Sequence, residues 1–340
     1  MAQFNFHAIG TTWRIDIFDN FNDISGKAAK EVEILARVKK RIEAFDKAYS
    51  RFRPDSLVTE MSKKSGTYEL PPDAEPMMLL YHDLYKKTGG LVTPLIGNLI
   101  SDAGYDAQYS LLSKKTLKAP PTWDEAIEYR PSDSSVADQG IDRLQSNAKP
   151  TLIVKHPVLL DFGAAGKGYL IDLVGEVLEE NGVLHYGINA GGDILYMDKR
   201  TSDKPKHDAT ENRGSIESDG SIQIGLEDPE DAGKVIGVCD LESGSICGSA
   251  GNRRKWGKFT HIINPKTLES PSDIIAVWIT AKTALLADAL ATCLFFVPAA
   301  NLSDDYDFEY VLVRKDRSVE KSEGFMGKLS ISSESQSTSH

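Results

Sequence analysis

Asp161-Phe162-Gly163-Ala164-Ala165-Gly166-Lys167-Gly168-Tyr169 follows an apolar, β-rich segment, Leu152 to Leu160, and precedes a helix-like stretch, Leu170 to Glu180. The run reads as a small-residue turn from a strand into a helix, with one lysine in it. Small residues admit a ligand to the backbone, and a helix N-terminus offers N–H groups to an anion, so a phosphate group is placed here. A P-loop is excluded. It needs four residues between its first glycine and the Gly-Lys pair, then Ser or Thr. Here only Ala164 and Ala165 stand between, and Gly168 follows the lysine. The same run reads equally well as a tight strand-to-helix turn with a surface lysine.

The 340 residues suffice for one large domain or two ordinary ones. A hydrophobic content of 41% and a charged content of 26% are those of a soluble globular chain. The net charge of −11 argues against nucleic acid or an anionic membrane as main partner, while leaving room for a local basic site. The opening residues, Met1 to Gly10, show no basic segment followed by an apolar core. They do not read as a secretory signal or lipoprotein leader, and the expected location is cytoplasmic. Cys239, Cys247 and Cys293 have no metal-ligand spacing and fit a reducing compartment. Thr283 to Ser303 carries one charge, Asp288, but Pro298 breaks it, so it reads as a buried helix and not a membrane span.

Working outward, the opening segment Phe4 to Phe18 contains an alternating strand, Thr11 to Ile17. Gly26 to Ala48 spaces Val32, Ile34, Leu35, Val38, Ile42 and Phe45 as an amphipathic helix. Pro71 to Thr88 predicts a second helix, closed by Gly89-Gly90. Ser101 to Lys149 is turn-rich. Beyond the opening run, Gly187 to Tyr196 reads as strand, small-residue break, strand. Ile222 to Leu226, Val235 to Leu241 and Ile274 to Thr280 are strand candidates, and Ala284 to Val297 a helix. Strands and helices mix without strict alternation, which predicts the α+β class.

Asp288 and Thr292 are four residues apart in this last helix, so a carboxylate and a hydroxyl share one face. Both are hard oxygen donors suited to Mg²⁺. The plainer reading is an Asp paired with a distant cation and a Thr bonded to its own backbone. His261, where a strand meets a turn, has the chemistry of a general base, and also that of an ordinary structural histidine. Asn189-Ala190-Gly191-Gly192-Asp193 would admit a flat or phosphorylated ligand, or would form a bulge or bend. Ser249 to Arg254 is a polar turn whose arginines, Arg253 among them, suit a diphosphate. Together these features describe a Mg²⁺–diphosphate site for a nucleotide-like ligand.

Six pieces, in order, resemble the ApbE family of FAD:protein FMN transferases. They are Ile9 to Trp13, Ser50 to Ser56, Asp161 to Asp172, Asn189 to Asp193, His261 to Pro265 and Ala287 to Thr292. The resemblance implies one large domain over residues 1–328, with mixed sheets, packed helices and an active site in a cleft between two lobes. An exposed insertion is expected at about residues 200–221 and a disordered tail at 329–340. It implies Mg²⁺-dependent transfer of FMN from FAD, the substrate, to a Thr or Ser hydroxyl of an acceptor flavoprotein, with release of AMP. Asp288, Thr292 and the Ala164 backbone carbonyl would hold the metal. Asp161, Gly163, Ala164, Lys167, Gly168, Asn189, Gly191, Gly192, Asp193, Ser249 and Arg253 would contact FAD. His261, Asp288 and Lys167 would be catalytic. Two departures stand out: Asn264 replaces the family's common Asp, and near Thr93-Pro94-Leu95 the chain lacks the acid of the family's Asp-Pro-Thr type motif. An amide still suits the first position as a turn holder. An FAD diphosphatase and a non-catalytic FAD-binding protein are the rival readings.

Overall fold

The computed structural model describes residues 2–19, 27–132, 149–200, 221–252 and 254–330. Residues 201–220 of the expected insertion, residues 331–340 of the expected tail, and Arg253 lie outside the described residues. The chain forms two compact units: Met1–Ile42, Lys167–Arg254 and Pro271–His340 in one, Glu43–Gly166 and Lys255–Ser270 in the other. Strands and helices are mixed in both, as the α+β class requires.

The chain opens with a hairpin. β1 (Ala2–Ala8) pairs antiparallel with β2 (Thr11–Ile17) around Ile9-Gly10. Both turn residues have positive φ, +43° and +75°, as a two-residue hairpin between right-twisted strands needs. Glycine takes that conformation freely; β-branched Ile9 takes it under strain. Trp13, Ile15 and Ile17 alternate onto one fully buried face. In α1 (Lys27–Tyr49) the buried stripe is Ile34, Val38, Ile42 and Phe45. Val32, expected in that stripe, is exposed, because two residues before Ile34 lies about 200° around the helix.

The second unit continues with α2 (Leu57–Met61), β3 (Gly66–Glu69) and α3 (Glu75–Lys87). α3 starts four residues later than expected, since Pro71-Pro72-Asp73 forms a turn closed by the Ala74 N–H on the Pro71 carbonyl. Gly89 and Gly90, with φ of +60° and +85°, follow its end as expected. Next come α4 (Gly97–Asp102), α5 (Trp123–Ala126), β4 (Ile127–Arg130) and β5 (Thr151–Val154). β5 is the centre of the β3-β5-β4 sheet. It is shorter than the strand expected over Leu152 to Leu160. Pro157 has no N–H for a central ladder, and the Lys155 N–H turns to the Ala126 carbonyl.

α6 (Gly166–Glu180) leads back into the first unit, to the hairpin of β6 (His185–Ala190) and β7 (Asp193–Asp198). β8 (Ile222–Asp228) and β9 (Asp231–Leu241) form a further hairpin, followed by β10 (Gly244–Ala250). β11 (Lys255–Trp256) and β12 (Phe259–Thr260) belong to the second unit. The chain closes with β13 (Ile274–Ala281), α7 (Ala284–Cys293), β14 (Phe308–Arg314), β15 (Val319–Lys321) and β16 (Gly327–Leu329). The large sheet runs β1-β2-β6-β7-β10-β13-β14-β15, and a small one runs β16-β9-β8. α7 ends at Cys293, not at Val297; Leu294 caps it and turns lead into Pro298. Among the described residues no helix is long and apolar enough to cross a membrane.

Candidate active site

α6 begins inside the glycine turn, so Lys167 and Gly168 belong to its first helical turn. Lys167 Nζ stands 2.5 Å from Asp193 Oδ2. Asp193 is the first residue of β7 and is 1% exposed, whereas 28% of the Lys167 side chain is exposed. The lysine is therefore the solvent-facing side of the pair. Asp193 Oδ1 accepts the Gly248 N–H of β10 at 3.1 Å, which fixes the carboxylate from a second strand. Asp288 of α7 is buried as well, and its Oδ2 accepts the Gly168 N–H at 2.8 Å. Burial, then Asp193, push the Asp288 carboxyl up to about 7, against the pull of Lys167 and the Gly168 amide. Burial works against the Lys167 charge, but Asp193 and Asp288 outweigh it and raise its pKa. Burial, with the same two carboxylates, holds the neighbouring Cys247 thiol protonated. Cys239 and Cys293 are buried free thiols too.

The backbone N–H groups on which a phosphate cradle would rest are largely committed. Gly163 donates to Asp161 Oδ1 at 2.7 Å, and Ala165 and Gly166 donate to the Phe162 carbonyl at 3.2 and 2.7 Å. With Gly168 given to Asp288, the positive charge at the start of α6 is carried chiefly by the Lys167 ammonium. Gly168 is also where the two helices meet: an added Cβ would lie 2.0 Å from the Ala284 carbonyl oxygen and 2.7 Å from Asp288 Cβ. Gly168→Ala is expected to destabilise the chain by about 3 kcal/mol in urea melts, because both obstacles are backbone or near-backbone atoms.

Asn189, Gly191 and Gly192 form the β6–β7 turn. Gly191 and Gly192 have φ of +67° and +99°, so the small-residue break is a two-residue hairpin, not a bulge. Asn189 Oδ1 accepts the Gly192 N–H at 3.0 Å. A Cβ on Gly191 would meet Thr11 Oγ1 at 2.1 Å, so β2 passing close by demands the glycine. Ser249 lies on β10, opposite Val277 of β13. Thr292 stands one turn beyond Asp288 on the same face of α7 and is partly exposed. Asp172 was not singled out from the sequence; it accepts the first two amides of α7.

In the second unit Asp161 is held by Arg51, Nε to Oδ2 at 2.5 Å, besides the Gly163 amide. Arg51 also donates to the Tyr105 carbonyl at 2.7 Å and lies over the Phe52 and Tyr105 rings. Asp161 thus anchors the turn that contains Ala164. The Arg51 partner was within the Ser50 to Ser56 motif, but no spacing rule connects residues 110 apart in sequence. His261 follows β12 and is half-buried. Asn264 holds the next turn: its Oδ1 accepts the Lys266 and Thr267 amides at 2.9 and 3.1 Å.

The fold and the first unit's cluster define a class: an α+β protein in which a lysine in the first turn of one helix, a buried carboxylate at the start of a strand and a second buried carboxylate within another helix come together. The chain belongs to the ApbE family, whose profile matches residues 9–304. A Haemophilus influenzae protein named FAD:protein FMN transferase is 24% identical over 342 residues, covering 96% of this chain and 90% of that one. A Treponema pallidum protein of the same name is 23% identical over 340 residues, covering 95% and 87%. Among solved structures, the ApbE protein of Thermotoga maritima superposes with a TM-score of 0.68 at 20% identity, covering 95% of this chain and 97% of that one. The flavin transferase ApbE of Vibrio cholerae gives 0.67 at 18% identity, covering 97% of each. The two structures establish the shared fold.

Proposed function

We propose that this chain is a transferase that moves FMN from FAD to a Thr or Ser hydroxyl of an acceptor flavoprotein, with Mg²⁺, releasing AMP. The observation that carries the reading is the Lys167–Asp193–Asp288 cluster, formed by three of the six ordered family motifs. In this reaction the acceptor oxygen bonds to the FMN-side phosphorus. The bond from that phosphorus to the bridging oxygen breaks, AMP leaves with the bridging oxygen, and the hydroxyl proton passes to a base. Lys167, charged and partly exposed, offsets negative charge on the diphosphate. Asp193 keeps that ammonium in place. His261 takes the proton in this reading; its support is the Thr260 to Pro265 motif.

The residues present fit a magnesium ion. Asp288 is a buried carboxylate with its pKa raised, and its observed hydrogen bond uses Oδ2, which leaves Oδ1 for a cation. Thr292 adds a hydroxyl on the same face of α7. Among the described residues no three His, Cys, Asp or Glu side chains gather as a metal cluster. One carboxylate with neutral oxygens suits an ion that keeps waters and takes phosphate oxygens as ligands. When bound, Mg²⁺ supplies charge neutralisation at the diphosphate.

The test is incubation with FAD, Mg²⁺ and a candidate acceptor, followed by denaturing electrophoresis and mass spectrometry. A fluorescent acceptor band carrying the mass of FMN on a Thr or Ser is the expected result. Free FMN and AMP without a labelled band would instead mark a diphosphatase, and intact FAD a binding protein.

A further inference from the structure

α6 and α7 cap each other. Asp172 lies one turn beyond Gly168 on α6, and Asp288 one turn beyond Ala284 on α7. Asp172 Oδ1 accepts the Ala284 N–H and Oδ2 the Leu285 N–H, each at 2.8 Å. In the opposite sense, Gly168 of α6 donates its N–H to Asp288 of α7, also at 2.8 Å. Each helix thereby satisfies unpaired N-terminal amides of the other with a carboxylate. The pairing is antiparallel, Gly168 with Asp288 and Asp172 with Ala284. Only a glycine fits at the crossing, where a Cβ would lie 2.0 Å from the Ala284 carbonyl oxygen. α7 already has its own N-cap, since Thr283 Oγ1 accepts the Leu286 N–H at 3.3 Å. That cap takes only the Leu286 amide and leaves those of Ala284 and Leu285 to Asp172. What the two Asp172 bonds fix is the height and rotation of α7 against α6, and with them the place of Asp288.

We propose that Asp172 is a positioning residue for Asp288: its paired bonds to the Ala284 and Leu285 amides hold α7 so that Asp288 meets Gly168 with one oxygen and a divalent cation with the other. This rests on the metal reading above. Asp172 touches neither cation nor substrate, so its effect is on cation affinity.

The test uses the full chain without FAD, with Mn²⁺ as the probe, read by electron paramagnetic resonance. Asp172→Asn keeps the shape but places an amide NH₂ against an N–H donor. It is expected to weaken Mn²⁺ binding about tenfold, the range found for residues that orient metal ligands. The Mg²⁺ concentration for half-maximal transfer should rise by the same factor, with the rate at saturating Mg²⁺ little changed. Thr283→Ala, which loosens the same helix end without touching Asp172, should lower the melting temperature and leave Mn²⁺ affinity as in the parent. Should Asp172→Asn not fold, Asp172→Glu keeps the charge, shifts it by one methylene and is read the same way. Unchanged Mn²⁺ affinity in the folded Asp172 variant, or an equal loss in Thr283→Ala, overturns the positioning role alone. A parent chain that takes up no Mn²⁺, or an Asp288→Ala variant that takes up as much as the parent, overturns the metal reading and the positioning role with it.

Discussion

Asp288→Asn is expected to lower Mg²⁺-dependent flavin transfer about a thousandfold while leaving the chain at least as stable as the parent above pH 7. The two effects have one origin. Asp288 is buried, and burial together with Asp193 raises its pKa from 3.8 to about 7. Between about pH 4 and about pH 7 the folded chain keeps a proton that the unfolded chain has released, so this group's contribution to stability falls as pH rises through that window. An amide of the same shape does not ionise and still accepts the Gly168 N–H, so that loss disappears. It also no longer offers a charged oxygen to a cation. Urea melts at about pH 5 and about pH 8 check the first effect. The parent should lose more stability across the interval than Asp288→Asn. Asp172, also raised to about 7 by burial, keeps part of the slope in both proteins. In-gel flavin fluorescence at saturating Mg²⁺ checks the second. Full transfer by Asp288→Asn removes Asp288 from the metal's ligands.

Lys167→Met is expected to cost about 3 kcal/mol of stability and to reduce transfer by about a hundredfold or more. The stability loss comes from Asp193, a carboxylate 1% exposed that keeps the Gly248 amide and loses its ammonium. The lysine's partial exposure places the cost at the low end for a broken buried pair. Pairing the change with Asp193→Asn separates the two effects. The double variant no longer buries the Asp193 charge without its ammonium, so most of the stability should return. Its transfer should stay low, because the positive charge near the diphosphate is still missing. Recovery of both stability and transfer in the double variant would make Lys167 a structural partner of Asp193 and nothing more.

Most elements were legible because their signals are local. The alternation at Thr11 to Ile17, the spacing of Ile34, Val38, Ile42 and Phe45, and the Gly-Gly pairs at 89–90 and 191–192 each follow from the geometry of a few consecutive residues. Errors fell where competition was not local. Thr151–Val154 stops short because Pro157 cannot serve a central strand, and which strand is central is a property of the sheet. β1 went unseen as a separate strand because its turn uses Ile9, a residue no hairpin rule favours.

The sequence by itself determined which residues are present at the site and in what order: a lysine among small residues, a carboxylate and hydroxyl one helical turn apart, and a glycine break between two strands. Only the tertiary structure decided who partners whom. It gave the Gly168 amide to Asp288, the Lys167 ammonium to Asp193, Arg51 to Asp161 and the α7 amides to Asp172. The reason is physical. A buried amide or carboxylate must find a partner, and the partner is chosen by which strands and helices pack together over separations of tens to more than a hundred residues. No spacing along the chain records that choice.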